Sequence, residues 1–198
     1  MREISSYVRT EIIESEDGTK RYSLRKVWDE SKPSLAIVML CPSSSGVVSV
    51  DTSTALTMAN CYRLGYGSVI IVNLFSRIND FALKEAQEID EENLQAVVKA
   101  AESTDCFVMG AGTGKLRNKV FQRRLKQVAT ALLPYQEKVH CLCDAEGNSQ
   151  GLHPLSPRVR EWSLVPMQLG SLIDVPVEVE APKKKGNRKL AAKQKEDT

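Results

Sequence analysis

No stretch of the chain approaches the roughly 20 consecutive apolar residues that a membrane span requires, and no apolar run follows a basic segment at its start. From these two absences a soluble, cytoplasmic protein without helical membrane spans is expected. Histidine is scarce, with only His140 and His153 to supply imidazole chemistry. Cysteine comes to five, an odd number, and four of the five sit in or beside apolar runs, which argues against a disulfide framework. The pair Cys141-Leu142-Cys143 lacks the spacing of a zinc knuckle, and no metal or other cofactor is expected.

What is present is the composition of one globular domain: 198 residues, 42% apolar, with a net charge of only +2. That charge is unevenly placed. Seven Lys or Arg between Lys183 and Lys195 face only Glu196 and Asp197, so the end of the chain is basic and the rest is net acidic. This segment has no aromatic residue and cannot bury enough surface to fold alone. Residues 1–180 are therefore read as the domain and 181–198 as a disordered basic tail, either a solvated appendage or a contact to a phosphate backbone through counterion release.

Hydrophobic periodicity sets the order of elements. Val8 to Glu14 and Arg21 to Val27 are β-prone runs around Asp17-Gly18, a hairpin signal. Ser34 to Leu40 is a continuous apolar run ended by Pro42, as expected of a strand covered on both faces. Thr52 to Leu64 has Ala55, Leu56, Ala59 and Tyr62 at helical spacing and stops at Gly65. A strand over Val69 to Val72, a helix over Glu91 to Ala101, a strand over Cys106 to Met109, a helix over Lys119 to Leu133 and a strand over Val139 to Cys143 follow. The alternation predicts an α/β fold: a single three-layer domain, a mainly parallel central sheet flanked by helices, and an N-terminal β-hairpin.

The Gly-rich run Gly110-Ala111-Gly112-Thr113-Gly114-Lys115 invites comparison with a phosphate loop. The pattern G-x-x-x-x-G-K-[ST] fails, because Met109 stands where the first Gly belongs and Leu116 where Ser or Thr belongs. The dinucleotide pattern fails as well, its third Gly arriving one residue early. Nucleotide hydrolysis is thereby disfavoured.

Three other motifs place polar groups after apolar runs: Leu40-Cys41-Pro42-Ser43-Ser44, then Val72-Asn73-Leu74-Phe75, and finally Leu152-His153-Pro154-Leu155-Ser156-Pro157. In an open α/β sheet the loops leaving the strand ends converge on one crevice. Asn73 offers a donor and an acceptor, as reading the edge of a pyrimidine requires, or it satisfies loop backbone groups. Asp51 caps the helix that follows it, faces the crevice, or does both. His140, inside a β-prone run, reads as a core or edge residue.

The order and chemistry of these motifs resemble the uracil-DNA glycosylase superfamily. A closer resemblance is to a family of small bacterial and phage proteins, a domain of unknown function, that looks like a source of antiphage modified-base DNA glycosylases. Its pattern is met here by Trp28-Asp29, Leu40-Cys41-Pro42-Ser43, Asp51-Thr52-Ser53, Gly65-Tyr66-Gly67, Asn73-Leu74-Phe75 and His153-Pro154, across roughly residues 20 to 160. The chain departs from the pattern at Cys41, where Asn is expected, and a thiol is a poor general base for water. Where uracil enzymes carry a bulky Tyr, Ser43 leaves room beside C5 of a pyrimidine.

The resemblance implies a monofunctional glycosylase that hydrolyses the N-glycosidic bond of a flipped-out, 5-modified pyrimidine, such as hydroxymethylated or glucosylated cytosine in phage DNA. It implies His153, Asp51 and Cys41 as catalytic, and Asn73, Ser43, Pro42 and Phe75 around the base, with Tyr62 and Tyr66 as further stacking candidates. Ser44, Ser45, Gly112, Lys115, Leu155, Ser156 and Arg158 would meet the DNA, with double-stranded DNA as partner and the protein a monomer. Two other classes share these features: a non-catalytic reader of modified DNA, which Cys41 favours, and an enzyme acting on free nucleotides.

Overall fold

Strand β3, Ser34–Met39, carries two apolar faces in alternation, and each face is buried under helices. Leu35, Ile37 and Met39 join one cluster with Cys61 of a helix; Ala36 and Val38 join the other with Val97 and Val128 of two more. The computed structural model describes residues 1–44, 46–83, 90–147 and 150–174. Ser45 and the basic tail 181–198 lie outside the described residues.

Among the described residues seven strands form one sheet. β1 (Arg9–Glu14) and β2 (Arg21–Val27) make the expected hairpin, with Gly18 at φ +66 in its turn. β3 is followed by α1 (Thr52–Arg63), β4 (Ser68–Asn73), α2 (Glu91–Ser103), β5 (Cys106–Met109), α3 (Lys119–Ala131), β6 (Val139–Cys143), β7 (Ser163–Pro166) and the short α4 (Gly170–Ile173). The order across the sheet is β1-β2-β4-β3-β5-β6-β7.

The expectation of a mainly parallel sheet needs correction, because the sheet is mixed. Only β4, β3, β5 and β6 run parallel; the hairpin joins their edge with β2 antiparallel to β4, and β7 folds back antiparallel on β6. The four-residue β7 has too little pattern to be read from sequence. The chain steps from β3 to β4 in one direction and from β4 across to β5 in the other, with α1 covering one face and α2 and α3 the opposite one. Reversing direction and face together keeps the crossovers of one hand.

The buried stripe of α1 also differs from its apolar spacing. Ala55 and Tyr62 are exposed, while Thr54, Thr57, Asn60 and Cys61 face inward. Two of the inward polar side chains are bonded: Thr57 Oγ1 donates to Ser53 O (2.7 Å), and Asn60 donates to Arg160 O (3.2 Å) and accepts from the Trp162 N–H (2.8 Å). Hydrogen bonding to the segment after β6, rather than apolar spacing, decides the rotation of this helix.

Two of the sequence motifs serve the fold at the edge where β2 ends and β4 begins. Gly67 O accepts from the backbone N–H groups of both Trp28 and Asp29 (3.0 Å each), and the Trp28 indole donates to Tyr66 O (3.0 Å). A Cβ on Gly67 would stand 1.8 Å from Asp29 O, so no larger residue fits. Gly67→Ala is expected to cost about 3 kcal/mol or more, a fall of roughly 10 °C in Tm, measurable by calorimetry. An unchanged Tm would show that the Trp28-Asp29 clamp does not hold the sheet edge.

Candidate active site

The point at which strand order reverses lies between β3 and β5, where the loops leaving their carboxyl ends diverge and open a crevice. A cleft of about 740 Å3 occupies this position. Its floor follows from strand alternation. Ile71 and Asn73 share one face of β4, Met39 lies on the same face of β3, and Met39 pairs in register with Asn73. The first turn of α1 begins on that face.

The turn after β4 is fixed from behind. Leu74 and Phe75 N–H groups donate to Met39 O (2.8 Å) and Leu40 O (3.1 Å), tying the loops after β3 and β4 together. Asn93 Nδ2 donates to Asn73 O (3.0 Å) and Leu74 O (3.1 Å), and buried Arg124 donates through Nε to Leu74 O (2.8 Å). The Asn73 side chain, 2% exposed, lines the cleft.

Asp51 does both things its position allows. Its Oδ1 caps α1 by accepting from the Thr54 N–H (2.6 Å), and its Oδ2 accepts a short hydrogen bond from the Ser43 hydroxyl, with both residues on the cleft wall. Arg21, at the start of β2, is only 3% exposed; it donates to Ser43 O (3.3 Å) and lines the same wall. Sequence reasoning missed it. The start of β2 reaches the carboxyl end of β4 only because the hairpin packs antiparallel there, a fact of sheet order rather than of any motif.

His153 enters from the loop after β6, which the Leu152 N–H holds to Leu142 O (3.2 Å). Its Nδ1 accepts from the backbone N–H of Leu155 (3.1 Å). Because an amide can only donate, Nδ1 carries no proton and Nε2 bears it, leaving a neutral ring with one N–H donor. Burial pushes the imidazole below its ordinary pKa against the opposing pull of Asp51, which favours that neutral form. Gly112, at φ +79, lies against this ring's base: a Cβ there would come within 3.0 Å of His153 Cβ.

Cys41 lines the cleft, but its thiol is a donor, bonded to Asp80 O (3.3 Å). Burial and the Asp80 charge push it up to about 12. With the Asn79 N–H donating to Pro42 O (2.9 Å), the thiol ties the first loop to the segment that carries Phe81. Phe81 is half exposed and lines the cleft, and sequence reasoning did not single it out.

Of the residues singled out from sequence, Cys41, Ser43, Asp51, Asn73, Gly112, Lys115, His153, Leu155 and Ser156 line this one cleft. Others lie elsewhere. Phe75 is fully buried in the core between β4 and the helices α2 and α3, so it cannot stack on a ligand; Tyr62 and Tyr66 also lie off the cleft. Pro42 is buried beside the cleft, Ser44 is exposed outside it, and Arg158 pairs with Asp144 (3.5 Å). Ser156 Oγ caps a 3₁₀ turn at Pro157–Val159. His140 sits in β6 with Nδ1 near Lys138 O (3.0 Å), away from the cleft.

Among the described residues no group of three or more His, Cys, Asp or Glu is placed to hold a metal, and no helix is long and apolar enough to cross a membrane. The five cysteines are free thiols.

The fold and site thus define an α/β protein with a switch-point cleft that joins a carboxamide, a carboxylate, a neutral imidazole and a guanidinium. Residues 21–155 match the family described as "Protein of unknown function (DUF1643)", and the chain belongs to that family. Searches of the curated proteins and of the solved structures found no match.

Two outcomes follow. At pH 8 the Cys41 thiolate fraction should be about a thousandfold below that of an ordinary thiol, so peptide-level mass spectrometry should show almost no alkylation by iodoacetamide under conditions that label a free cysteine. Rapid labelling would remove the thiol from its donor role. For His153 the folded-state pKa lies below the unfolded one, so its contribution to stability is present above about pH 6.5 and is lost as pH falls through the folded value. Denaturant titrations from pH 7 to 5 should show a smaller loss of stability for His153→Gln than for the parent.

Proposed function

We propose that this protein is a DNA glycosylase that hydrolyses the N-glycosidic bond of a flipped-out, 5-modified pyrimidine, acting on modified phage DNA in antiphage defence. The observation that carries the reading is the convergence of Asn73, Asp51 and a neutral, Nε2-protonated His153 in one cleft at the switch point. Resemblance to the uracil-DNA glycosylase superfamily supplies the roles. A cleft of about 740 Å3 exceeds what a bare pyrimidine needs and falls within the roughly 300–1,000 Å3 of small-molecule sites.

In this reading the Asn73 carboxamide pairs with the edge of the extruded base, which stacks against Phe81. As the bond between C1′ and the base nitrogen breaks, its electron pair moves onto the base and the sugar becomes oxocarbenium-like. The His153 N–H stabilises the negative charge on the base. Donation from a neutral ring suits this role, because a fixed donor aimed at developing charge needs no reorganisation during the reaction. Asp51 faces the sugar cation and takes a proton from the water that adds to C1′, leaving an abasic site and an anionic base that takes a proton from solvent on release, while Asp51 returns its own to solvent. Lys115 and the Gly112 backbone flank the mouth where DNA phosphates would pass.

One observation favours a second reading, a binding module for modified DNA. The residue at the water-positioning place of the uracil enzymes is Cys41, a thiol that stays protonated and is engaged with Asp80 O. Incubation with unmodified and modified duplexes, followed by alkaline cleavage, separates the two: strand scission marks the enzyme, and a salt-sensitive mobility shift without scission marks the reader. For the enzyme, His153→Ala should slow single-turnover base release about a hundredfold or more while leaving duplex affinity within a few fold. An unchanged rate constant takes His153 out of the reaction.

A further inference from the structure

The cleft lining is of two chemistries. Phe81, Leu152 and Leu155 supply apolar surface. A polar wall is built from Arg21, Ser43, Asp51 and the first-turn residues Thr52 and Ser53, at the amino end of the twelve-residue helix α1. Within this polar wall the groups are joined in a chain: Arg21 donates to the carbonyl of Ser43, and the Ser43 hydroxyl donates to Asp51. Arg21 is held almost completely out of water, and burial pulls its pKa down while Asp51 and Glu14 oppose that pull. An arginine keeps its charge under such conditions, so the wall presents a guanidinium, a carboxylate and several hydroxyls side by side.

This combination selects a particular ligand chemistry. A wall of cations alone would suit an anion, but Asp51 stands within it and disfavours one. A wall of hydrocarbon would suit a methyl group. A guanidinium beside a carboxylate, with hydroxyls around them, matches a group whose atoms both donate and accept, which is the property of a hydroxymethyl or sugar substituent. A methyl group placed there would leave desolvated polar groups without exchange for their water, at about 1–3 kcal/mol. Sites that hydrogen-bond a substrate hydroxyl reject the analogue lacking it far more strongly than apolar pockets distinguish shapes.

We infer that Arg21, with Ser43 and Asp51, is the specificity wall of the cleft, accepting a hydroxylated 5-substituent and rejecting a methyl one. The inference rests on the reading of the cleft as a pocket for an extruded base.

The test uses the full chain and three duplexes of one sequence, carrying 5-methylcytosine, 5-hydroxymethylcytosine or glucosylated 5-hydroxymethylcytosine at one position. Base release is measured by alkaline cleavage and affinity by fluorescence anisotropy. The parent should prefer the hydroxylated duplexes over the methylated one by tenfold or more in kcat/KM. Arg21→Met should bring that ratio down at least tenfold, with Arg21→Lys restoring part of it. Because Arg21 is buried, melting temperatures accompany each variant, and Ser53→Ala supplies a second change in the same wall that should lower the ratio by a few fold. If no base is released but the affinities show the same preference and the same loss, the glycosylase reading fails and the specificity wall stands. Equal treatment of the methylated and hydroxylated duplexes by the parent in both readouts overturns the inference, as does an Arg21→Met protein that folds and keeps the parent's ratio.

Discussion

The end of β4 sets a problem that the rest of the molecule is arranged to solve. There the chain must leave the sheet while still buried, and the carbonyls of Asn73 and Leu74 lose their strand partners. A buried carbonyl without a donor costs about 1–3 kcal/mol. Asn93 from α2 bonds both carbonyls, and Arg124 from α3 bonds Leu74 O and reaches Asp90 O (3.3 Å), the cap of α2. Asp90 in turn accepts from Ser76 (2.6 Å) and pairs with Lys20 (3.0 Å). Burying a guanidinium is tolerable only when its donors are satisfied. Here Nε is satisfied by the turn that must be held, Nη1 by Gln127 Oε1 (3.2 Å) and Nη2 by the α2 cap, so two helices, the hairpin and the strand end become one polar unit.

That unit explains why the site can face one way. With its backbone held from the side of α2 and α3, Asn73 is left to present its carboxamide on the α1 side, where Asp51 caps the helix and Ser43 joins the cap. The segment that follows His153 is fixed from α1 as well: Asn60 and Arg63 bond the backbone of Arg160 and Trp162. One helix therefore delivers a carboxylate at its start and steadies the imidazole loop along its length.

Within the family pattern the residues divide by place. Trp28, Asp29, Tyr66 and Gly67 interlock at the edge away from the cleft and serve the sheet. Cys41, Ser43, Asp51, Asn73 and His153 gather at the opposite edge. Cys41 illustrates how chemistry and place interact: a thiol in a cleft suggests a nucleophile, but raised to about 12 and bonded to Asp80 O it acts as a tether for the Phe81 segment.

Much of the fold was legible along the chain, because alternating apolar faces, Asp17-Gly18 and the cap Asp51 are local signals that tertiary packing did not override. The strands Cys106–Met109 and Val139–Cys143 lie where their apolar runs stand. The convergence of Asn73, Asp51 and His153 was also foreseeable, since residues at strand ends of an α/β sheet share an edge. What the chain alone could not decide were quantities that depend on neighbours distant in sequence. The sheet became mixed because the hairpin and β7 found edges to pair with, and α1 turned its polar stripe inward because Asn60 met the backbone of Arg160 and Trp162. Phe75 went to the core while Phe81 came to line the cleft, and Arg21 reached the cleft through the pairing of β2 with β4. Periodicity names the face a residue takes within its own element, whereas only the packed sheet decides what stands opposite that face.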